Sequence, residues 1–407
     1  MPSLRIPSPR LLLLTSVVAL SSLFLLAACS SEPTGPDPSA SEPSVLEPIT
    51  PTGLVGGTLG DNGADFDGIT NWINSDPLTI AELQGKVVLV DFWTYTCVNC
   101  IRTMPFLRDW QAKYADEGLV IVGVHAPEFE FEKIPANVES ATADFGLDYP
   151  VAQDDNFTTW RGYENHSWPA KYLMDKDGIV RYTHIGEGGY DETELAIREL
   201  LRDAGADLRD VERNEDAGPE FVAQAYGTLD PEERITRELY GGWNRNNTVN
   251  GLYIAHANYY AAAERTAVYT DPGNHFNQAM FLQGSWHNGL EAIKHGRATD
   301  NYEDYIAMHV FARSANIVID LEEGFEPFIV KVTVADADTG LDRPLDESEA
   351  GVDIVYRDGE SFLEVNEGRM YFALSLSEYG ETDLKFSSNS PDFALFAMTF
   401  GAYLTVD

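Results

Sequence analysis

Apolar and polar positions change period several times along the chain. Leu11–Ala28 is largely apolar without periodicity, and residues 30–51 are Ser, Pro, Glu and Thr with few large apolar side chains. The first regular signal is Val87–Trp93, an apolar run bounded by Gly85-Lys86 and too short for a core helix, which reads as a buried parallel strand. Beyond Cys97 the spacing becomes helical. Leu107, Trp110 and Tyr114 fall on one face of a helix that ends near Gly118. A second buried strand is expected over Leu119–Val124, a helix over Ala136–Phe145 and a short strand over Tyr149–Ala152. A hairpin of Lys171–Met174 and Ile179–His184 across Asp177-Gly178 follows, then an amphipathic helix over Glu192–Ala204. That order predicts an α/β domain over residues 52–210, with a mixed central sheet flanked by helices.

Residues 220–407 have a different texture. Short strands are expected over Gln278–Gln283, Tyr305–Ser314, Asn316–Leu321, Phe328–Ala335, Asp353–Tyr356, Ser361–Val365, Arg369–Leu376, Asp383–Ser387 and Phe393–Thr399. Several alternate with period two, and turns such as Asp358-Gly359 and Glu367-Gly368 separate them. This spacing predicts an all-β sandwich or jelly roll. The polar, acidic Asp203–Pro219 reads as the linker between the two domains.

The N-terminus adds an address. Arg5 and Arg10 precede the apolar run, which ends in Leu26-Ala27-Ala28-Cys29-Ser30. A positive n-region and small residues before Cys29 read as a cleaved signal over residues 1–28, not as a retained membrane span. The resemblance is to bacterial lipoproteins with a lipobox, which implies that Cys29 becomes the acylated first residue of the mature chain. Residues 29–51 then form a Pro/Ser-rich tether, able to hold the folded part up to about 60 Å from the membrane surface.

With 27 basic against 66 acidic residues the formal net charge is −39. A surface of that sign repels nucleic acid and anionic lipid, so nucleic-acid partners are excluded. It reads as adaptation to a salty or acidic exterior. An apolar content of 44% supports ordinary packed cores.

The chemistry rests on Cys97-Val98-Asn99-Cys100, two of the three cysteines of the chain. An apolar strand runs into a two-cysteine turn that opens a helix, the arrangement thiol–disulfide exchange requires. Four features in order resemble the TlpA-like branch of the thioredoxin superfamily. They are Leu83-Gln84-Gly85-Lys86 before the first core strand, Asp91-Phe92-Trp93 before the first cysteine, Pro105 within the active-site helix, and Trp168-Pro169 at the place of the family's cis-proline. Val98-Asn99 departs from thioredoxin's Gly-Pro, and Thr96 replaces the usual tryptophan. Together with His184-Ile185-Gly186-Glu187-Gly188 and Phe396-Ala397-Met398-Thr399-Phe400-Gly401, the two halves resemble the periplasmic region of DipZ-type proteins, a thioredoxin-like domain followed by a carbohydrate-module-like sandwich. The membrane electron-transfer segment of full DipZ-type proteins has no counterpart in this sequence, so the resemblance implies a separate membrane electron donor.

At a helix N-terminus, Cys97 is expected to be the attacking thiolate, and Cys100, one turn in, the resolving thiol. A static disulfide across so short a loop would restrain little of the unfolded chain. Zinc would need two more ligands, which nothing nearby supplies. No cofactor beyond the cysteine pair and no metal are expected. Asp91, a carboxylate in an otherwise apolar strand, is expected to be buried and to exchange protons with Cys100. Glu128, at the C-terminal end of the second strand, resembles the active-site glutamate of TlpA-like reductases, with Glu130 and Glu132 as competing registers. Pro169 would shape a groove in which the backbone of Trp168 pairs with an extended substrate. Lys171 and Tyr172 read as strand residues. In the sandwich, Trp243, Trp286, His275, His287 and His309 are candidates for sugar stacking or metal binding without any ligand spacing.

These observations point to a lipid-anchored, extracytoplasmic thiol–disulfide oxidoreductase, with the reducing direction implied by the TlpA-like resemblance. Its partners would be disulfide-containing exported proteins, a membrane electron-donor protein, the membrane itself, and a glycan or protein ligand of the C-terminal domain. Two rivals remain at this point. One is a surface glycan- or protein-binding lipoprotein with incidental thiols, and the other a thiol peroxidase with a peroxide-reactive Cys97.

Overall fold

The computed structural model describes residues 44–213, 234–249, 251–321, 326–336 and 338–402. Cys29, the expected signal and most of the tether lie outside these residues, as does 214–219 of the expected linker.

Two short parallel strands, β1 (Val55–Gly56) and β2 (Asn62–Gly63), precede the redox sheet. The sheet contains β3 (Asn71–Ile73), β4 (Val87–Trp93), β5 (Leu119–His125), β6 (Val151–Gln153), β7 (Ala170–Met174) and β8 (Val180–Ile185) in the order β3-β6-β5-β4-β7-β8. The β4-β5-β6 core is parallel, while β3, β7 and β8 are antiparallel to their neighbours. Every residue of β4 is buried, as expected of a central strand covered on both faces. Around the sheet lie α1 (Val98–Tyr114), α2 (Pro135–Asp144), α3 (Thr158–Gly162) and α4 (Tyr190–Asp203). Leu107, Trp110 and Tyr114 line the buried face of α1, and Pro105 lies inside it. Gly123, opposite Asp91 in the register, is required by packing: a Cβ there would lie 3.0 Å from the Trp93 indole nitrogen and 3.1 Å from the Tyr149 ring.

The mixed α/β reading therefore holds, with element ends shifted by a few residues. Where a fully extended tether was expected to reach residue 51, Ser44 and Val45 are already held by the Glu199 carboxylate of α4, at 2.5 and 3.0 Å. The compact unit accordingly starts at Ser44. Among the described residues no helix is long and apolar enough to cross a membrane.

The C-terminal half is strand-rich. It contains β9 (Leu239–Tyr240), β10 (Thr266–Tyr269), β11 (Phe281–Asn288), β12 (Ile293–His295), β13 (Tyr305–Ile319), β14 (Phe328–Ala335), β15 (Asp342–Pro344), β16 (Ile354–Arg357), β17 (Glu360–Val365), β18 (Arg369–Ser387) and β19 (Ala394–Gly401). Instead of two separate faces, one continuous hydrogen-bonded sheet curls on itself. β11 pairs with both β12 and β13, so β11-β12-β19-β13 closes into a ring. The strands expected over Tyr305–Ser314 and Asn316–Leu321 are one, β13, bent by register shifts near Ser314. Likewise β18 absorbs two expected strands, because the exposed polar Ser377–Thr382 between them continues the ladder with β13. Gln278 adopts a positive φ, which moves the start of the Gln278–Gln283 strand to Phe281.

The two halves share one apolar core. Phe129 and Phe131, in the segment after β5, pack edge-on against Phe396 of β19 at centroid distances of 5.2 and 5.0 Å. An apolar contact of this kind fixes the halves to each other, where a polar interface would let them move.

Candidate active site

β4 delivers the chain through Thr94-Tyr95-Thr96 to Cys97, which is the N-cap of α1. Its backbone is extended (φ −84°, ψ 108°), and its Sγ accepts the N–H of Cys100 at 3.2 Å. A thiolate there is favoured by the unpaired N–H groups and the helix dipole. Both thiols are free. Cys97 is half-buried, whereas Cys100 is buried and its thiol is pushed well up, first by burial and then by the neighbouring Cys97 and the carboxylate of Asp91. The pair is thus divided into an accessible thiol at a site that favours thiolate and a buried thiol that holds its proton.

Asp91 lies in the middle of β4, directly across the ladder from Lys171 of β7. Both side chains are fully buried, and the Lys171 ammonium stands 3.7 Å from the carboxylate. That is ion-pair range but too long for a hydrogen bond. Burial therefore dominates the lowering effect of Lys171, and the Asp91 carboxyl is pushed up to about 6. Lys171, read from sequence as a strand residue, belongs to the site. The available signal was a pair of lone charges, each inside an otherwise apolar strand.

The segment after β5 separates the three glutamates. Glu128 turns toward the C-terminal half, where its carboxylate binds the Arg245 guanidinium and accepts the Tyr240 hydroxyl at 2.9 Å. Glu130 is exposed and pairs with Lys133. Glu132 is fully buried and bonds the Thr96 hydroxyl, next to Cys97, at 2.5 Å. Its other oxygen accepts the N–H of Phe129 at 3.0 Å and that of Glu128. Burial outweighs the Thr96 bond, and with Glu128 nearby the Glu132 carboxyl rises to about 7. Of the three registers, Glu132 is the one in contact with the cysteine loop. Behind the loop, buried His125 stacks on Tyr95 at 5.6 Å and faces Thr94 Oγ1 at 3.3 Å; burial lowers it to about 3, so it is neutral at physiological pH.

Trp168-Pro169 is a cis peptide. The Trp168 indole donates to the carbonyl of Ala126 at 3.0 Å and leans on Trp160 at 4.5 Å, which ties the proline loop to the end of β5. A further clamp went unread in the sequence. Arg102 of α1 binds Glu187 through two nitrogens at 2.9 and 3.0 Å and the Asn99 amide oxygen at 2.6 Å, locking the cysteine turn to the loop after β8.

In the C-terminal half Trp286 is fully buried against His295 and Phe393, and no sugar can stack on it. His309 and His275 face the same Asp383 oxygen at 2.9 and 3.9 Å, and His287 lies 3.5 Å from Glu264. Among the described residues no cluster of three or more His, Cys, Asp or Glu is arranged to hold a metal. Trp243, half-buried, lines an open hollow with Tyr260 and Phe276.

Two family models cover the described halves. The Redoxin model matches residues 73–197, the stretch that holds the dithiol, Asp91, Glu132 and Pro169. The redox half is a Redoxin domain with the thioredoxin fold. The model described as thioredoxin like C-terminal domain matches residues 236–401. This two-domain redoxin is 35% identical over 258 residues to Protein DipZ of Mycobacterium bovis, across 63% of this chain and 34% of that protein. The chain thus spans about a third of the length of the DipZ relatives it matches. It is 29% identical over 138 residues to the thiol-disulfide oxidoreductase YkuV of Bacillus subtilis, across 34% of this chain and 92% of YkuV. Among solved structures, a thioredoxin-like protein in the oxidized form aligns with a TM-score of 0.31 at 29% identity, covering 33% of this chain and 90% of that one.

Proposed function

We propose that the protein is a protein-disulfide reductase, lipid-anchored through Cys29 outside the cytoplasm, acting on disulfides of exported proteins. The observation that carries the reading is the asymmetric dithiol: half-buried Cys97 at the N-cap of α1, with buried Cys100 one turn in and the proton-binding Asp91 acting on it. The relatedness to DipZ and YkuV supports the same chemistry.

In the first step the Cys97 thiolate attacks one sulfur of the substrate disulfide. That bond breaks, the other substrate sulfur leaves and takes up a proton, and a mixed disulfide to Cys97 forms. Cys100 then gives its proton to Asp91, mostly ionised at pH 7, and attacks Cys97 Sγ. The second substrate sulfur leaves, so the substrate gains two electrons as two thiols and the protein holds a Cys97–Cys100 disulfide. A membrane dithiol donor returns the two electrons. Lys171 keeps the Asp91 charge tolerable in the core, and Glu132 with Thr96 and Arg102 with Asn99 hold the cysteine turn in place.

The test is a trap. Incubated with a disulfide-bonded peptide, Cys100→Ser should accumulate a covalent adduct on Cys97, seen by intact mass, while Cys97→Ser forms none and loses turnover. Adduct formation on Cys100 in the Cys97→Ser protein would overturn the assignment of roles. For the anchor, Cys29→Ala should release the protein from the membrane fraction; retention would count against acylation there.

A further inference from the structure

Beside the dithiol, a cleft of about 490 Å³ runs between the two halves. Its volume is within the range of about 300–1,000 Å³ in which pockets enclose most of a ligand. One wall comes from the redox half: Tyr95, Ile101 and Phe145, with Ser140 and Asp144 of α2 at the edge. The other comes from the start of β18, including Met370 and Phe372. These two are separated by one residue in a strand, so their side chains stand on the same face of the sheet.

The cleft is continuous with the reactive thiol. Tyr95 and Ile101 bracket Cys97 in the chain, and the N–H of Ile101 bonds the Cys97 carbonyl at 3.0 Å, which puts Ile101 one helical turn below the thiol on its own face. Cys97, Ile101 and Phe145 pack on the same apolar core. A disulfide in contact with Cys97 Sγ therefore carries its neighbouring side chains over the cleft. The far wall is held in place. Phe396 clamps Phe129 and Phe131, and a Cβ on Gly368 would lie 2.4 Å from an Asp320 carboxylate oxygen and 3.1 Å from the Phe131 ring. The hairpin reaches the redox half this closely only because residue 368 is glycine.

Charge narrows the occupant. The Arg369 guanidinium at the cleft is engaged by Asp353 at 2.9 and 3.1 Å and by Glu367 at 2.9 Å, and it lies over the Tyr371 ring. It offers little to an anion, while Asp144 at the rim is exposed. Apolar walls with an acidic rim complement a large apolar side chain and repel an acidic one.

Resting on the reductase reading, we infer that the C-terminal half forms the second wall of the substrate site. Met370 and Phe372 select extended polypeptide disulfides that carry a large apolar residue next to the attacked cysteine. The site is then completed only by both halves, and the strand-rich half acts in substrate choice.

The test uses the reduced full chain and three substrates: a peptide disulfide with Phe beside the cysteine, the same peptide with Asp there, and hydroxyethyl disulfide. For the wild type, kcat/KM should favour the Phe peptide over the Asp peptide by about tenfold or more, the discrimination expected of one apolar pocket. Phe372→Ser should bring that ratio close to one. Ser140→Trp, which fills the cleft from an exposed position on the opposite wall, should lower the Phe peptide relative to hydroxyethyl disulfide by a similar factor without relying on a core substitution. Equal wild-type rates for the two peptides, or an undiminished ratio in both variants, would overturn the cleft assignment while leaving the reductase reading intact. Failure of the wild type to reduce any of the three substrates would overturn both.

Discussion

Asp304 in the strand-rich half and Asp91 in the redox half are both removed from solvent, yet their carboxyls shift in opposite directions. Burial opposes ionisation at each. At Asp304 it is overcome: Arg297 bonds both oxygens at 2.8 and 2.7 Å, the N–H of Ser285 donates at 3.0 Å, and His295 Nε2 lies at 3.1 Å. Together they hold the carboxyl down at about 2. At Asp91 a single ammonium at 3.7 Å is too far to do the same, and the carboxyl sits at about 6. A carboxylate saturated with donors is fixed in charge and serves the fold. One that is buried with an incomplete partner set can exchange a proton near neutral pH, and it stands beside the dithiol.

The largest effect should follow from breaking the saturated site. Arg297→Ala leaves a buried carboxylate short of its main donor and should cost on the order of 3 kcal/mol in urea unfolding at pH 7. The sign in acid is defined. The folded Asp304 lies below its unfolded value, so its stabilisation is present above about pH 4 and disappears as pH falls toward 2, and the gap between variant and wild type should close over that window. An undiminished gap at pH 2 would mean that Arg297 acts through packing.

Next comes the unsaturated site. Asp91→Asn should slow release of the mixed disulfide by about 100-fold, the lower range of general acid–base effects. In the wild type that step should accelerate as pH rises through about 6, where Asp91 becomes able to accept the Cys100 proton, and the inflection should vanish in the variant. Stability carries the opposite signature to Asp304. Folded Asp91 lies above its unfolded value, so its ionisation disfavours the fold above about pH 6, and this penalty is relieved as pH falls toward 4. An unchanged pH profile for resolution in Asp91→Asn would remove Asp91 from the mechanism.

The smallest effect belongs to Glu132. Glu132→Gln keeps a hydrogen-bonding group against Thr96 and should change the rate of Cys97 alkylation only about two- to threefold, on the scale of one net hydrogen bond of about 0.5–1.5 kcal/mol. Its diagnostic is the loss of an inflection near pH 7 in that rate. A wild-type profile without that inflection would confine Glu132 to a structural role.

Much of the redox half was legible because its signals are local. Val87–Trp93 is apolar throughout, the cysteines sit at a fixed spacing after it, and the helix face of Leu107, Trp110 and Tyr114 is periodic. The cross-strand placement of Lys171 against Asp91 was not, since it depends on which strands pair and in what register. The choice between Glu128 and Glu132 likewise rests on where a non-repetitive segment turns, and that is fixed by Phe129 and Phe131 docking on Phe396 nearly 270 residues away. In the strand-rich half period-two alternation located most strands. The merging of neighbouring segments into β13 and β18 escaped notice because exposed polar residues inside a long edge-to-edge strand look like a loop.

The central claim is that Cys97 and Cys100 form a reducing dithiol, and their reduction potential tests it most directly. A dithiol becomes a strong oxidant when its reduced, thiolate-bearing form is stabilised. Here the carboxyls of Asp91 and Glu132 stand beside the dithiol, Arg102 is engaged by Glu187 and Asn99, and His125 is neutral above about pH 3. Equilibrated against a glutathione or dithiothreitol couple, the pair should show a potential of about −270 mV or lower. A value near about −120 mV would contradict the account and make the protein a donor of disulfides.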